Sequence, residues 1–173
     1  MSNPLSYTLD SLHNRITKVF PAQIRECLAQ LDDEQIWWRP NETSNSVGNL
    51  VIHLSGSLNH YLNFRIGGIA YDRNREAEFA ERRHIPKAEL LAVFDDMVSN
   101  AEKTFEGITV ERLGDPSPEQ KMYTLLVEDL ISIATHVANH TGQILWVTKM
   151  LKDGALHEVW MKAHKHHGGW KPS

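Results

Sequence analysis

A chain of 173 residues, 41% of them hydrophobic, can bury one compact core, and its single cysteine, Cys27, excludes an internal disulfide. Its formal charge of -4, from 18 basic and 22 acidic residues, offers no positive surface to nucleic acid, so DNA or RNA binding is disfavoured. No apolar run approaches the roughly 20 residues that cross a bilayer, and no signal peptide is recognisable, so we expect a cytoplasmic protein without membrane attachment.

The first long helix is predicted over residues 6–31, where apolar side chains recur at helical spacing. Because proline lacks a backbone N–H, we expect Pro21 to kink or restart this helix. The segment from Trp37 to Glu42 breaks the helical pattern, since Pro40 disfavours helix at the preceding residue. Its two tryptophans are predicted to seal one end of the core.

A second helix is predicted to begin near Ser46 and to end at Gly67-Gly68, and Ser44, Asn45 or Ser46 can cap its start. His53 lies on one flank of its core face, whereas His60 lies about 10.5 Å further along the axis. Because this separation prevents the two histidines from sharing one ion, we take His53 as the candidate ligand. Gly56 keeps the adjacent surface small, which would let another helix or a ligand come close.

Residues 67–85 form a charged, irregular connection that is longer than usual between packed helices. Such a loop is often functional, although a solvated crossover carrying paired charges is the simpler interpretation. Pro86 suits the first turn of a third helix, which Gly107 is expected to stop. The connection that follows reaches about Glu119 and contains ordinary turn residues.

The last long helix is predicted over residues 121–151 and contains His136-Val-Ala-Asn-His140. This spacing places both imidazoles on one face, about 6 Å apart along the axis, so they can converge on one ion. Asp129 lies on the same apolar stripe, where a carboxylate needs a partner such as an imidazole N–H or a cation. Gln143 is a further candidate for the pocket. Two core histidines that only hydrogen bond to each other are the alternative interpretation of this motif.

Four long helices without a strand pattern predict an all-α protein, a four-helix bundle over residues 1–151. Residues 152–173 form a histidine-rich C-terminal tail, which could bind metal adventitiously. Three neutral imidazoles, those of His53, His136 and His140, would leave at least one coordination position open on a divalent metal. That pattern is typical of a catalytic zinc site.

Two motifs carry a family resemblance. The second helix is preceded and begun by WWRPNETSNSVGNLVIHL, and the last helix contains HVANHTGQI. In this order they resemble the DinB-like superfamily of four-helix-bundle proteins, which includes bacillithiol S-transferases and the metal-binding domain of mycothiol-dependent maleylpyruvate isomerase. The resemblance implies that His53, His136 and His140 hold zinc or nickel. It also implies a homodimer and an up-up-down-down helix order, with residues 67–85 as the long crossover.

The resemblance leads to three functional hypotheses besides a purely structural bundle whose histidines satisfy one another. The first is a metal-dependent thiol S-transferase acting on a small molecule, with a low-molecular-weight thiol as a further cofactor. The second is a metal-dependent hydrolase that uses a metal-bound water. The third is a non-catalytic bundle that binds a metal or a small molecule. Asp129 is the candidate catalytic residue, either orienting a ligand histidine or acting as the base.

Overall fold

The computed structural model describes residues 3–154. All secondary-structure elements in this range are helices. The prediction of an all-α protein is therefore confirmed for these residues. No helix among them is long and apolar enough to cross a membrane. The helices are α1 (Pro4–Asn14), α2 (Phe20–Gln30), α3 (Asp33–Ile36), α4 (Val47–Leu58), α5 (Arg75–Ala80), α6 (Lys87–Glu106) and α7 (Leu126–Leu151).

The predicted interruption near Pro21 takes the form of a π-helical stretch, Arg15–Val19, that joins α1 to α2. In this stretch the Phe20 N–H donates to the Arg15 carbonyl, one residue further back than in an α-helix. Pro21 has no N–H with which to continue the ladder, and the wider turn just before it accommodates the missing donor. A second π-helical stretch, Asn59–Phe64, extends α4 in the same way.

Hydrogen bonds hold the crossover between α4 and α6 against other segments of the protein, so it is not solvated throughout. The buried Asn49 side chain, on the first turn of α4, donates to the backbone carbonyls of Glu78 and Glu81. Trp37 donates its indole N–H to the Ile85 carbonyl at 3.0 Å. The crossover also contains α5, which the periodicity of the sequence did not predict because six residues are too few to show a helical repeat.

The last helix begins at Leu126 rather than at residue 121. Glu128 caps its start, since one carboxylate oxygen accepts the backbone N–H of Thr124 and of Leu125, each at 2.8 Å. Met122 is 68% exposed and Leu125 is 38% exposed, so neither belongs to the buried stripe. The prediction for these five residues was wrong because they form a hydrogen-bonded turn of their own, whose apolar spacing is compatible with a helix.

Four helices, α2, α4, α6 and α7, make contacts across the core. Helix α2 packs against α6 and α7, and α4 packs against the same two helices. The contact between α4 and α7 places the second helix of the predicted metal site beside the last one. The largest fully buried side chains are Phe94, Ile16, Ile24, Leu28, Leu31, Ile36, Leu54, Leu62, Leu90, Met97, Leu126 and Leu130.

Candidate metal centre

Three imidazoles converge where α4 packs against α7. The Nε2 atom of His136 lies 3.1 Å from Nε2 of His53 and 3.1 Å from Nε2 of His140. The three ligand atoms all lie within 4.8 Å of one another. In a tetrahedral zinc site the ligand nitrogens are about 3.3 Å apart, which follows from Zn–N bonds of roughly 2.0–2.1 Å. The group could therefore hold one divalent metal ion.

Hydrogen bonds on the far side of two rings direct their lone pairs toward the cluster. His53 Nδ1 lies 2.9 Å from a carboxylate oxygen of Glu78, and His140 Nδ1 lies 2.9 Å from the amide oxygen of Gln143. Because the Glu78 and Gln143 oxygens are acceptors, Nδ1 of His53 and Nδ1 of His140 carry the protons. In the neutral form of each ring, Nε2 then has a lone pair and no proton. A single N–H on His136 can satisfy only one of these lone pairs. The arrangement suits a cation better than it suits three histidines alone.

Burial favours the neutral forms of His136 and His140. It lowers the pKa of His136 from 6.5 to about 4, and the charges of His140 and His53 act in the same direction. Burial also lowers the pKa of His140, against the opposing effect of its hydrogen bond to Gln143. Neutral imidazole is the form that binds a metal, so protons compete weakly for these nitrogens at neutral pH.

Glu78 is the buried carboxylate of the site, and sequence reasoning missed it. Its two oxygens accept hydrogen bonds from Arg73 Nε at 2.7 Å and from Arg73 Nη2 at 2.9 Å, beside the contact with His53. Burial acts to raise the pKa of Glu78, but the hydrogen bonds from Arg73 and His53 outweigh it and lower the pKa. An ionised Glu78 therefore holds the His53 ring in place, as carboxylates commonly do for metal-binding histidines.

Gly56 allows this carboxylate to reach the site. A Cβ at position 56 would overlap the Glu78 carboxyl group and lie 2.8 Å from its Cδ. The expectation that Gly56 admits a close neighbour is confirmed, and the neighbour is α5. A glycine three residues after His53 was the available signal in the sequence, since Glu78 belongs to no periodic pattern.

A cavity of about 420 Å³ opens beside the histidines. Its wall includes all three imidazoles, the rings of Tyr61 and Phe79, and Asp129. A cavity of this size can enclose most of a small molecule. The open side of the three-histidine group therefore faces a space suited to a ligand.

The chain matches the family described as protein of unknown function, DUF1572, over residues 6–163. It belongs to the DUF1572 family. No curated protein matches it. The region of the DUF1572 protein that matches contains the three histidines, Glu78 and the cavity, and it continues beyond α7 into the predicted tail. Because the family description carries no activity, the chemistry of the site rests on its geometry.

Asp129 of the DUF1572 protein lies in the cavity wall and is 4% exposed. Among residues 3–154 its Oδ2 atom has no hydrogen-bond partner. Burial raises the pKa of Asp129, and the Ser117 hydroxyl opposes this shift. We expected Asp129 to accept the N–H of a ligand histidine, but Glu78 makes that contact with His53. A catalytic role for Asp129 stays a prediction.

The remaining histidines do not join the cluster within the described part of the chain. His60 contacts Tyr61, edge to face, with 4.8 Å between ring centroids. His60 therefore lies outside the three-histidine group, and His53 as a metal ligand stays a prediction. The tail histidines, His157, His164, His166 and His167, lie outside the described residues.

Proposed function

We propose that the DUF1572 protein is a metal-dependent enzyme of the DinB-like superfamily, with zinc or nickel held by His53, His136 and His140. The convergence of three Nε2 atoms on one point carries this proposal. The order of the two sequence motifs and the packing of α2 and α4 against α6 and α7 support the superfamily assignment. The proposal includes a four-helix bundle with up-up-down-down order and residues 67–85 as its crossover.

The cation, when bound, would act as a Lewis acid that lowers the pKa of a thiol or a water molecule. The residues of the chain have separate tasks around it. The three histidines supply neutral nitrogen ligands and leave a position open toward the cavity. Glu78 orients the His53 ring, and Arg73 compensates the buried charge of Glu78.

We favour thiol transfer to a small molecule over hydrolysis. A hydrolase needs a general base within hydrogen-bond reach of the attacking water. Asp129 precedes His136 by seven residues, which corresponds to about 10.5 Å along α7, and Glu78 is already engaged by Arg73 and His53. In the transfer step the sulfur forms a bond to an electrophilic carbon, whose leaving group departs with the bonding electrons, and the thiol proton passes to solvent.

Metal analysis of the purified protein tests the site. We expect close to one tightly held divalent metal per chain, because three imidazoles on packed helices form a preorganised site. Each of the single variants His53→Ala, His136→Ala and His140→Ala should lose metal binding. A variant without the four tail histidines should retain the metal, and metal content that followed the tail instead would contradict the assignment.

Cobalt substitution tests the thiol chemistry. A low-molecular-weight thiol that binds the metal should produce a sulfur-to-metal charge-transfer band, and thiols paired with electrophiles should be turned over. Turnover of esters or amides without any thiol would favour the hydrolase. Metal binding without turnover in either panel would favour a non-catalytic bundle.

The oligomeric state and the location are further parts of the proposal. The resemblance leads us to propose a cytoplasmic homodimer. Light scattering of the metal-loaded protein should give the mass of two chains, and the mass of one chain would contradict the dimer.

A further inference from the structure

The two ends of the cavity differ in charge. Near His53 the wall contains Arg73 and Arg75, of which Arg73 pairs with Glu78 and Arg75 lies 5.1 Å from the centroid of the Phe79 ring. At the other end the wall contains Asp129 and Glu119. Because Glu78 neutralises Arg73 and Arg65 neutralises Glu119, the wall charges without an ion pair among residues 3–154 are Arg75 at the metal end, which is basic, and Asp129 at the far end, which is acidic.

Asp129 is the carboxylate at the acidic end whose charge has no ion-pair partner among residues 3–154. Arg65 pairs with Glu119 at 2.6 Å, whereas Asp129 forms no ion pair within residues 3–154. Tyr123 and Ser132, which also line the cavity, join their hydroxyl groups to each other at 2.7 Å. The carboxylate charge of Asp129 is buried in the cavity wall without a cationic partner among residues 3–154, which is unfavourable, and a cationic group in the cavity would relieve this cost.

The spacing along α7 sets the length of a ligand that would contact both ends. Asp129 and His136 are seven residues apart, which places them on nearly the same face and about 10.5 Å apart along the axis. Ile133 lies between them in the chain and also lines the cavity. An apolar segment of the ligand would pass this residue.

We propose that the cavity takes a small molecule with a metal-binding group at one end and a primary amine about 10 Å away, which donates to Asp129. This inference rests on the proposed metal site and adds the substrate class. Asp129 thereby acts as a specificity residue at the far end of the cavity.

The test uses the cobalt-substituted full chain and straight-chain thiols of graded length that end in a methyl, hydroxyl or amino group. At one chain length the amino-terminated thiol should bind roughly 10-fold or more tightly than its methyl counterpart. The charge-transfer band reports binding. Asp129→Asn should reduce this advantage severalfold, while Asp96→Asn on the exposed face of α6 should leave it unchanged.

A second variant, Asp129→Glu, allows the test to be made even if Asp129→Asn does not fold. Asp129→Glu extends the carboxylate by one methylene, so the best amino-terminated thiol should become shorter by one methylene. An amine advantage that is absent at every length, or that neither Asp129 variant alters, would overturn the inference.

A parallel series of hydroxamates with the same terminal groups distinguishes this inference from the proposed thiol chemistry. If the hydroxamates show the amine preference and the thiols give no charge-transfer band, the inference stands and the thiol part of the function fails. If neither the thiols nor the hydroxamates bind the metal, both the open coordination position and the inferred substrate class are contradicted. Thiol binding without an amine preference would leave the proposed function intact and overturn the inference alone.

Discussion

At the scale of single residues, Glu78 governs how firmly His53 is held. Glu78→Gln keeps the shape of the side chain but removes its charge, so it weakens the hydrogen bond to His53 Nδ1 and leaves Arg73 without its ion pair. We expect metal affinity to fall about 10- to 100-fold. Competition with a chromophoric chelator measures this change.

Glu76→Gln is the matched control, because Glu76 lies on the same short helix and is exposed. It should leave the metal affinity unchanged. If Glu78→Gln and Glu76→Gln bind metal equally well, Glu78 does not position His53.

His136 should make the metal-free protein sensitive to acid. Its pKa is lowered from 6.5 to about 4 in the fold, so between these values the unfolded chain binds more protons than the native protein. The free energy of unfolding should therefore fall, by about 1–3 kcal/mol in total, as pH decreases from roughly 6.5 to 4. The raised pKa of Asp129 acts in the opposite direction and limits the net loss.

Urea denaturation of the metal-free protein, at neutral pH and near the acid end of this window, measures the effect. His136→Gln removes the titrating group and should show a smaller loss. Equal stability of the unsubstituted protein at both pH values would contradict the prediction.

At the scale of helices, the approach of α5 to α4 depends on Gly56. In Gly56→Ala the added methyl would overlap the Glu78 carboxyl group, so α5 must move away or Glu78 must leave His53. We expect a loss of about 1–3 kcal/mol in stability from this overpacking, together with weaker metal binding. Urea denaturation and chelator competition measure the two effects.

Gly142→Ala separates this clash from the ordinary effect of glycine in a helix. Gly142 lies inside α7, and a Cβ there meets no atom of the described residues within 4 Å. This substitution should stabilise the protein by about 0.5–1 kcal/mol. If Gly56→Ala and Gly142→Ala changed the free energy of unfolding by similar amounts, α5 would not pack closely on Gly56.

At the scale of the whole molecule, the metal should link two helices that are distant in the chain. His53 on α4 and His136 on α7 are 83 residues apart, so the unfolded chain does not preserve the site. Binding to the native state alone adds about 4 kcal/mol when free metal is 1,000 times its dissociation constant. Slow equilibration with a chelator should therefore lower the melting temperature, and His53→Ala should be insensitive to the chelator.

A metal-loaded protein whose melting temperature and metal content both survive prolonged chelation would contradict this linkage. The alanine variant is compared at the same protein concentration, since a change in association would also alter its melting temperature.

The sequence by itself determined the long helices and part of the candidate metal site. Ser46, one of the three predicted capping residues, caps α4, and α6 ends before Gly107 as predicted. His136 and His140 share a face because their spacing matches one helical turn. These features are local, since each depends on residues within a few positions of one another, and local patterns are visible in a single chain.

Only the tertiary structure decided which groups surround the histidines. Glu78 contacts His53 across 25 residues of chain, from a helix too short to show periodicity. The same limitation explains why the sequence indicated Asp129, and not Glu78, as a carboxylate in contact with an imidazole. Both residues are carboxylates, and burial on a helical stripe does not reveal which one reaches His53. That choice depends on how the crossover folds back on α4 at Gly56, which is a contact between distant segments and has no repeating signature in the sequence.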